Sequence, residues 1–502
     1  MRRLALIIID GFGVAPPGPG NARSLAKMPT LDRLEKEVPN VLMDAAGNAV
    51  GLPQGQQGSS EPGHLTIGAG RVVWQLQERI DRDIRSEEFA KNNVLREACE
   101  RAKKNKSALH LIGLYSTGGV HSSAEHYHAV LRLAKEIGVP NVVLHLFSDG
   151  RDTPEQYFCT DFDLLKKEID AVHLGTIASV VGRYFAMDRD RRYAERTKPA
   201  YDLLTAGEGE LVEDPCDGVK AWYAKGPAGI KTDQYVRPLK TAAFESIKAG
   251  DTVICINFRA DRMIQIVTAL EAEDFKEFPR PVRVKGVVCM GPYSDHLPVA
   301  YPKLPVSNTL GEIVSNAGLK QLRMTETDKF THITFFFNAQ RPDPFPGEDR
   351  IMMESPNVAT FADAPEMKSK ELTDMMIEKA KTGEYALMVV NYPNPDLTGH
   401  GGQIPAVVKA CETVDKYLGI LLPQLEALGY DWIITSDHGN AEEMYYPGTN
   451  TICPSHTVNQ VQTFVHTESI RSSADLQQYT SLTGIAPLAL KILGLPIPKE
   501  MA

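Results

Sequence analysis

Leu4-Ala5-Leu6-Ile7-Ile8-Ile9-Asp10 is the stretch on which the fold turns. Six apolar residues, ending in three consecutive isoleucines, run without polar interruption into an aspartate. A half-exposed strand would alternate apolar and polar positions. A continuous run of this kind reads instead as a strand buried on both faces, the habit of parallel sheets covered by helices. In open α/β sheets ligands collect beyond the carboxyl ends of the strands, so Asp10 stands where a site would be assembled. Two later segments repeat the pattern: Leu387-Met388-Val389-Val390-Asn391 runs on to Asp396, and Trp432-Ile433-Ile434-Thr435-Ser436 ends at Asp437.

Helical patterns alternate with such runs. Tyr127, Val130, Leu131, Ala134 and Ile137 share one helical face that Gly138 closes, and Val407, Ala410, Cys411, Val414, Tyr417, Leu418 and Leu421 share another. The expected class is therefore α/β with mainly parallel sheets flanked by helices. With 502 residues, 43% apolar and 24% charged, the chain has room for two or three domains. Asp10, the loop 58–64 and the Asp/His groups after residue 390 have to meet in one domain, while an arginine-rich group lies between residues 150 and 262. The simplest arrangement is an insertion, with residues 1–74 and 304–502 forming one domain and 75–303 a second α/β domain. Prolines in Tyr301-Pro302-Lys303-Leu304-Pro305 suit an extended crossing.

A formal net charge of −10 argues against a general nucleic-acid binder, which needs clustered cations to displace phosphate counterions. Arg2-Arg3 precede an apolar run too short for a signal peptide, and no apolar stretch approaches the roughly 20 residues of a membrane span. Seven cysteines, at 99, 159, 216, 255, 289, 411 and 453, show no CxxC spacing and suggest reduced thiols in a cytoplasmic protein.

Histidines accompany the strand-end aspartates. Asp10, Asp396, Asp437, His400, His438 and His456 offer three carboxylates and three imidazoles, a donor mixture suited to Mn²⁺, Mg²⁺, Co²⁺ or Zn²⁺. Singly, each could be a helix cap or a surface histidine. Together they are too many for one open catalytic ion and suit two, about 3.5 to 4 Å apart, clamping an in-line phosphoryl displacement. Gly58-Ser59-Ser60-Glu61-Pro62-Gly63-His64 supplies a hydroxyl nucleophile in a glycine-bounded turn, and a divalent ion can lower its pKa. Two divalent ions would bring four positive charges, and three aspartates with a serine alkoxide would cancel them. An anionic substrate then needs arginines. Arg151, Arg183, Arg189, Arg259 and Arg262 lie at or just after apolar runs, where guanidinium forks can grip phosphate and carboxylate, whereas Arg191 and Arg192 read as solvated.

At these residues the chain resembles the cofactor-independent phosphoglycerate mutases of the alkaline phosphatase superfamily, whose nucleophile loop is usually Gly-Asn-Ser-Glu-Val-Gly-His. Further matching segments include Asp10-Gly11-Phe12-Gly13, Gly118-Gly119-Val120-His121-Ser122, Asp149-Gly150-Arg151-Asp152-Thr153-Pro154, Asn257-Phe258-Arg259-Ala260-Asp261-Arg262, Asn394-Pro395-Asp396-Leu397-Thr398-Gly399-His400 and Asp437-His438-Gly439-Asn440-Ala441-Glu442. The resemblance implies an alkaline-phosphatase-like metal domain with an inserted substrate domain. It implies that Ser60 is phosphorylated, that Asp396, His400 and His456 hold one ion, and that Asp10, Ser60, Asp437 and His438 hold the other, with manganese the first expectation. Lys329 would stabilise the phosphoryl group. His121, Arg151, Asp152, Arg183, Arg189, Arg259 and Arg262 would contact substrate, Asp152 moving the proton.

The implied reaction is the interconversion of 3-phosphoglycerate and 2-phosphoglycerate by a cytoplasmic monomer, without 2,3-bisphosphoglycerate and without nucleic-acid or membrane partners. Ser59 and Pro62 depart from the family loop, Pro62 deleting a backbone N–H, and Tyr115-Ser116-Thr117 stand where an acidic residue commonly precedes the two glycines. The rival readings are a phosphatase or phosphodiesterase using Ser60 in the same way, phosphopentomutase, whose inserted domain would not carry this arginine set, and a noncatalytic phosphate-binding protein.

Overall fold

The computed structural model describes residues 2–226, 231–446 and 448–501. The chain divides into two compact units, Met1–Gln75 with Pro305–Ala502, and Leu76–Leu304. The strands are, in chain order, β1 (Leu4–Ile9), β2 (Asn40–Met43), β3 (Leu109–Leu114), β4 (Val142–Ser148), β5 (Thr176–Gly182), β6 (Glu210–Val212), β7 (Leu239–Thr241), β8 (Thr252–Cys255), β9 (Gly286–Cys289), β10 (Lys320–Glu326), β11 (Glu348–Met353), β12 (Tyr385–Tyr392), β13 (Asp431–Thr435) and β14 (Val461–His466).

The discontinuous unit holds a sheet in the order β11-β10-β12-β1-β13-β14-β2. From β11 to β13 it is parallel, and only β14 is reversed, pairing antiparallel with β13 on one side and with the edge strand β2 on the other. β1 lies between β12 and β13, Leu6 facing Val389 on one side and Ile433 on the other. Its side chains divide by parity: Leu4, Leu6 and Ile8 join one apolar core, and Ala5, Ile7 and Ile9 join another on the opposite face. This is the physical reason the segment is apolar throughout. Burying its five large side chains contributes on the order of 10 kcal/mol at the usual value per side chain.

The contiguous unit holds its own sheet, ordered β6-β7-β5-β4-β3-β8-β9. Its pairs are parallel except β5 with β7. The helical face read at Tyr127 lies in the helix Ala124–Ile137, capped by Gly138 at φ 80°. The second lies in the helix Ile404–Ala427, with Val407, Ala410, Cys411, Val414, Leu418 and Leu421 buried. No helix among the described residues is long and apolar enough to cross a membrane.

The expectation of seven reduced thiols is corrected. Cys159 and Cys216 are joined by a disulfide, their Cα atoms 5.3 Å apart, and Cys99, Cys255, Cys289, Cys411 and Cys453 are buried free thiols. An odd count without CxxC spacing carries no information about two cysteines that the fold brings together from 57 positions apart.

Candidate metal centre and arginine site

Four parallel strands of the discontinuous unit deliver the candidate groups at their carboxyl ends. Asp10 follows β1, Asp396 follows β12 by one turn of the helix Asn394–Gly399, Asp437 follows β13, and Lys329 ends the short 3-10 turn after β10. Gly11 makes the crowding tolerable: its φ is +69°, and a Cβ there would lie 2.7 Å from that of Asp396.

Ser60 is the first residue of the helix Ser60–Ala69, so its hydroxyl sits at the electropositive end of a helix. Pro62 is the third residue. N–H groups of the first turn have no intrahelical partner, so the departure at Pro62 costs the helix no ladder bond. Gly63 lets the helix approach β13, since a Cβ there would lie 2.4 Å from the Asp437 carbonyl oxygen. The buried Ser60 Oγ is 2.9 Å from His438 Nε2, donates to Asp10 Oδ1 at 3.2 Å, and accepts from Lys329 Nζ at 2.6 Å. Lys329 also donates to Asp10 Oδ1 at 2.7 Å and Asp396 Oδ2 at 2.6 Å.

The remaining ligand candidates fall into two groups, Asp396 with His400 and His456, and Asp10 with Asp437 and His438, the ligating atoms of each lying within 4.8 Å of one another. Their chemistry fits divalent ions. The Nδ1 atoms of His400, His456 and His438 face the carbonyls of Pro454 (2.8 Å), Gly58 (2.9 Å) and Gly439 (3.2 Å). Protonated Nδ1 then leaves Nε2 as a lone pair in each ring. The Nε2 atoms of His400 and His456 lie 3.2 Å apart, and that of His456 is 3.2 Å from Asp396 Oδ1, an assembly of acceptors that a cation would satisfy.

Charge leads to the same conclusion. Three buried carboxylates surround one ammonium. Burial disfavours ionisation of Lys329, but Asp10, Asp396 and Asp437 outweigh it and raise its pKa. Burial likewise opposes charge on His438, yet Asp437, Asp10 and Asp396 push it up to about 10. Such a cluster draws protons because it is short of positive charge, and metal binding displaces protons of that kind.

Several neighbours carried no assigned role in the sequence. Asn391 donates to Asp10 Oδ2 at 2.7 Å and Asn440 to Asp396 Oδ1 at 3.0 Å. Glu442 is buried and accepts from the N–H groups of Gly13 (2.9 Å) and Asn440 (2.8 Å), the amide of Asn459 (3.1 Å) and the Thr457 hydroxyl, tying together three loops that carry candidate ligands. His64, whose role the sequence left open, lies with Nδ1 3.0 Å from Asp437 Oδ2. His64, Asn440 and Glu442 lie inside segments that already resembled the family, whereas Asn391 offered only its place near the end of β12.

In the contiguous unit the other candidates also follow strand ends. Residues 115–122 follow β3, Arg151 and Asp152 follow β4, Arg183 follows β5, and Arg259 with Arg262 follows β8. Arg183 is buried and its Nη1 donates to Asp149 Oδ1 (2.5 Å) and Asp152 Oδ2 (2.6 Å). Asp149, which the sequence did not single out, also accepts from the Ser116 hydroxyl (2.6 Å) and the N–H groups of Arg151 (3.2 Å) and Asp152 (3.0 Å). Asp261 gathers the second set, 3.0 Å from Arg189 Nη1, 3.3 Å from Arg259 Nε and 3.7 Å from His121 Nδ1. Burial first, and then the Arg183 charge, lower the His121 pKa to about 4. Arg262 is lowered by burial and by repulsion from Arg189, Arg183 and Arg151, the electrostatic mark of converging cations.

A parallel sheet with a serine at a helix start and two Asp/His groups at its strand ends defines an alkaline-phosphatase-like protein. Residues 325–483 match the family described as type I phosphodiesterase / nucleotide pyrophosphatase, and residues 80–295 match the BPG-independent PGAM N-terminus. The 2,3-bisphosphoglycerate-independent phosphoglycerate mutase of Moorella thermoacetica is 41% identical over 100% of this chain and 97% of its own, and that of Thiobacillus denitrificans 43% over 99% and 97%. A crystal structure of Leishmania mexicana phosphoglycerate mutase at low cobalt concentration superposes with a TM-score of 0.68 and 29% identity, over 100% of this chain and 97% of that one. The chain belongs to the 2,3-bisphosphoglycerate-independent phosphoglycerate mutase family.

Proposed function

We propose that this chain interconverts 3-phosphoglycerate and 2-phosphoglycerate through a phosphoserine on Ser60, with two divalent ions and without 2,3-bisphosphoglycerate. The observation that carries the proposal is the position of Ser60, a buried hydroxyl at a helix start within hydrogen-bonding reach of Lys329, Asp10 and His438. Asp396, His400 and His456 would hold one ion and Asp10, Ser60, Asp437 and His438 the other. Manganese is the first choice, with magnesium, cobalt or zinc as alternatives, and the ions would supply Lewis-acid polarisation and a lowered serine pKa.

The chain's own residues do the rest. Lys329 offsets negative charge as the bond from phosphorus to Ser60 Oγ forms and the bond to the substrate oxygen breaks. Asp152 gives a proton to the departing glycerate oxygen and takes one from the other hydroxyl before that oxygen attacks the phosphoserine. Arg151, Arg183, Arg189, Arg259 and Arg262 answer roughly three negative charges on phosphoglycerate at neutral pH. His121 serves them as a neutral imidazole. Glycerate has to be retained and water excluded, because water reaching the phosphoserine would make the outcome hydrolysis.

The proposal is for a cytoplasmic monomer acting on a small molecule, and the net charge of −10 supports the absence of a nucleic-acid partner. Trapping and mass mapping of phosphate on Ser60, together with loss of turnover in Ser60→Ala, is the expected result. Free phosphate appearing as fast as phosphoglycerate disappears would identify a hydrolase instead.

A further inference from the structure

The disulfide stands at an informative place. Cys159 is the second residue of the helix Phe158–Val172 and Cys216 the second residue of the helix Pro215–Lys225. Both line a cavity of about 610 Å³ whose charged residues are balanced, Lys166, Lys167 and Lys220 against Asp163, Asp214 and Asp217. A small thiol therefore has a route to the sulfurs. Both sulfurs stand in the first turn of a helix, where the helix dipole favours a thiolate over a thiol, so a cysteine released here is a good leaving group. Disulfides of cytosolic proteins are mostly transient and redox-sensing.

The bond also pins the point from which the substrate loops are held. Immediately before Cys159, the N–H groups of Tyr157 and Phe158 donate to Asp233 Oδ2 at 2.7 and 2.9 Å. Two residues after it, Asp161 accepts from the Thr117 hydroxyl at 2.8 Å and its N–H at 3.2 Å. Asp233 is fastened in turn to the Cys216 helix through the Tyr223 hydroxyl. Its own N–H donates to the Glu155 carbonyl at 2.8 Å, and its carbonyl accepts from the Ser148 hydroxyl at 2.8 Å. Residues 148–158, which carry Arg151 and Asp152, and the loop at Thr117, which leads to His121, are thus anchored on either side of Cys159.

We propose that Cys159–Cys216 is a thiol–disulfide exchange site for a low-molecular-weight thiol/disulfide couple, and that its oxidised form orders the loop carrying Arg151 and Asp152. In the reducing direction a thiolate attacks one sulfur, the protein S–S bond breaks, and the other cysteine leaves as a thiolate and takes a proton. A second thiolate then attacks the mixed disulfide, releasing the external disulfide and the second cysteine thiolate. Two electrons pass from two thiols to the protein, and oxidation reverses each step. The effect on substrate rests on the proposed role of Arg151 and Asp152, whereas the exchange chemistry does not.

The test uses the full-length, metal-supplied protein poised in dithiothreitol or in oxidised glutathione, then alkylated. Seven alkylated cysteines are expected in the reduced sample and five in the oxidised one, with a single cross-linked peptide pair containing Cys159 and Cys216. Hydrogen exchange over 148–158 is expected to slow by several-fold on oxidation. KM for phosphoglycerate is expected to fall about three- to tenfold, with kcat changing less than about twofold, a modest coupling between sites. Cys216→Ser and, independently, Cys159→Ser should hold KM at the reduced value in both buffers. Seven alkylated cysteines under oxidising conditions, or a formed bond with unchanged exchange and KM, would overturn the proposal. Arg151→Ala separates the two readings: if it leaves KM unchanged, the substrate role of the loop is at fault, while thiol counting and exchange still decide the disulfide.

Discussion

Lys329 Nζ lies 2.6 Å from Ser60 Oγ while also donating to carboxylates of both candidate ligand groups. One ammonium thus reaches Ser60, Asp10 and Asp396 together, a placement that suits a compact point charge on a flexible stem. Lys329→Met is expected to lower kcat by about 10² to 10³, the usual cost of removing one charge-stabilising group. Lys329→Arg is expected to recover little of it, because a planar fork cannot reach the three oxygens. Steady-state kinetics on both variants checks this, and near-normal turnover in either would count against the assignment.

Removal of divalent ions is expected to abolish turnover and lower the melting temperature, since ions that bind only the folded state stabilise it by mass action. Calorimetric titration of stripped protein should give two ions per chain, and His456→Ala one. An unchanged stoichiometry in His456→Ala would place the ion elsewhere.

Asp149 and Arg183 form a buried pair that also fixes Asp152. Leaving either partner alone strands a charge, so Asp149→Asn and Arg183→Met should each raise KM by roughly tenfold or more, as expected for loss of a buried charged contact. The double variant should cost much less than the sum of the two, the sign of direct coupling. A double-mutant cycle in KM measures it, and strict additivity would contradict the shared role.

Glu326 ends β10 in a buried position, and burial raises its pKa to about 7, against the donation from the Lys368 N–H at 2.9 Å. The folded state therefore keeps a proton that the unfolded chain releases near pH 4.5. The associated stability is present below that pH and is lost as pH rises through 7, amounting to up to roughly 3 kcal/mol. Glu326→Gln, which stays neutral, should melt higher than the parent at pH 8 and much like it at pH 4.5. Parallel melting curves that differ equally at both pH values would refute this.

The fold was legible wherever local composition had to satisfy a global condition. Leu4 to Ile9 are all apolar because β1 has a core on each face, and that is visible in six letters. The aspartates at the strand ends were legible for the same reason, and the fold gathers them with histidines into two groups that could hold ions. Partnership between distant polar side chains left no such trace. Asp149, Asp261 and Glu442 stand in segments that resemble the family, but what they hold is invisible until the fold places arginines or backbone N–H groups against them. The Cys159–Cys216 bond was illegible because pairing depends on distance in space, while the sequence offers only spacing along the chain.

The central place of β1 has a consequence for how the protein is made. Leu4 pairs with Leu387 and with Asp431, whereas every strand of the other sheet lies between residues 109 and 289. At about 5 to 20 residues per second, a ribosome leaves Leu4–Ile9 without its neighbours for tens of seconds while the whole of Leu76–Leu304 emerges with its own partners at hand. Neither neighbour of Leu4–Ile9 exists until residues 385–435 have been made. Short apolar β-prone segments left open in this way are aggregation hazards, so a message broken before the codon for Tyr385 leaves Leu4–Ile9 without either neighbour, an open strand for the cell's chaperones and proteases to meet.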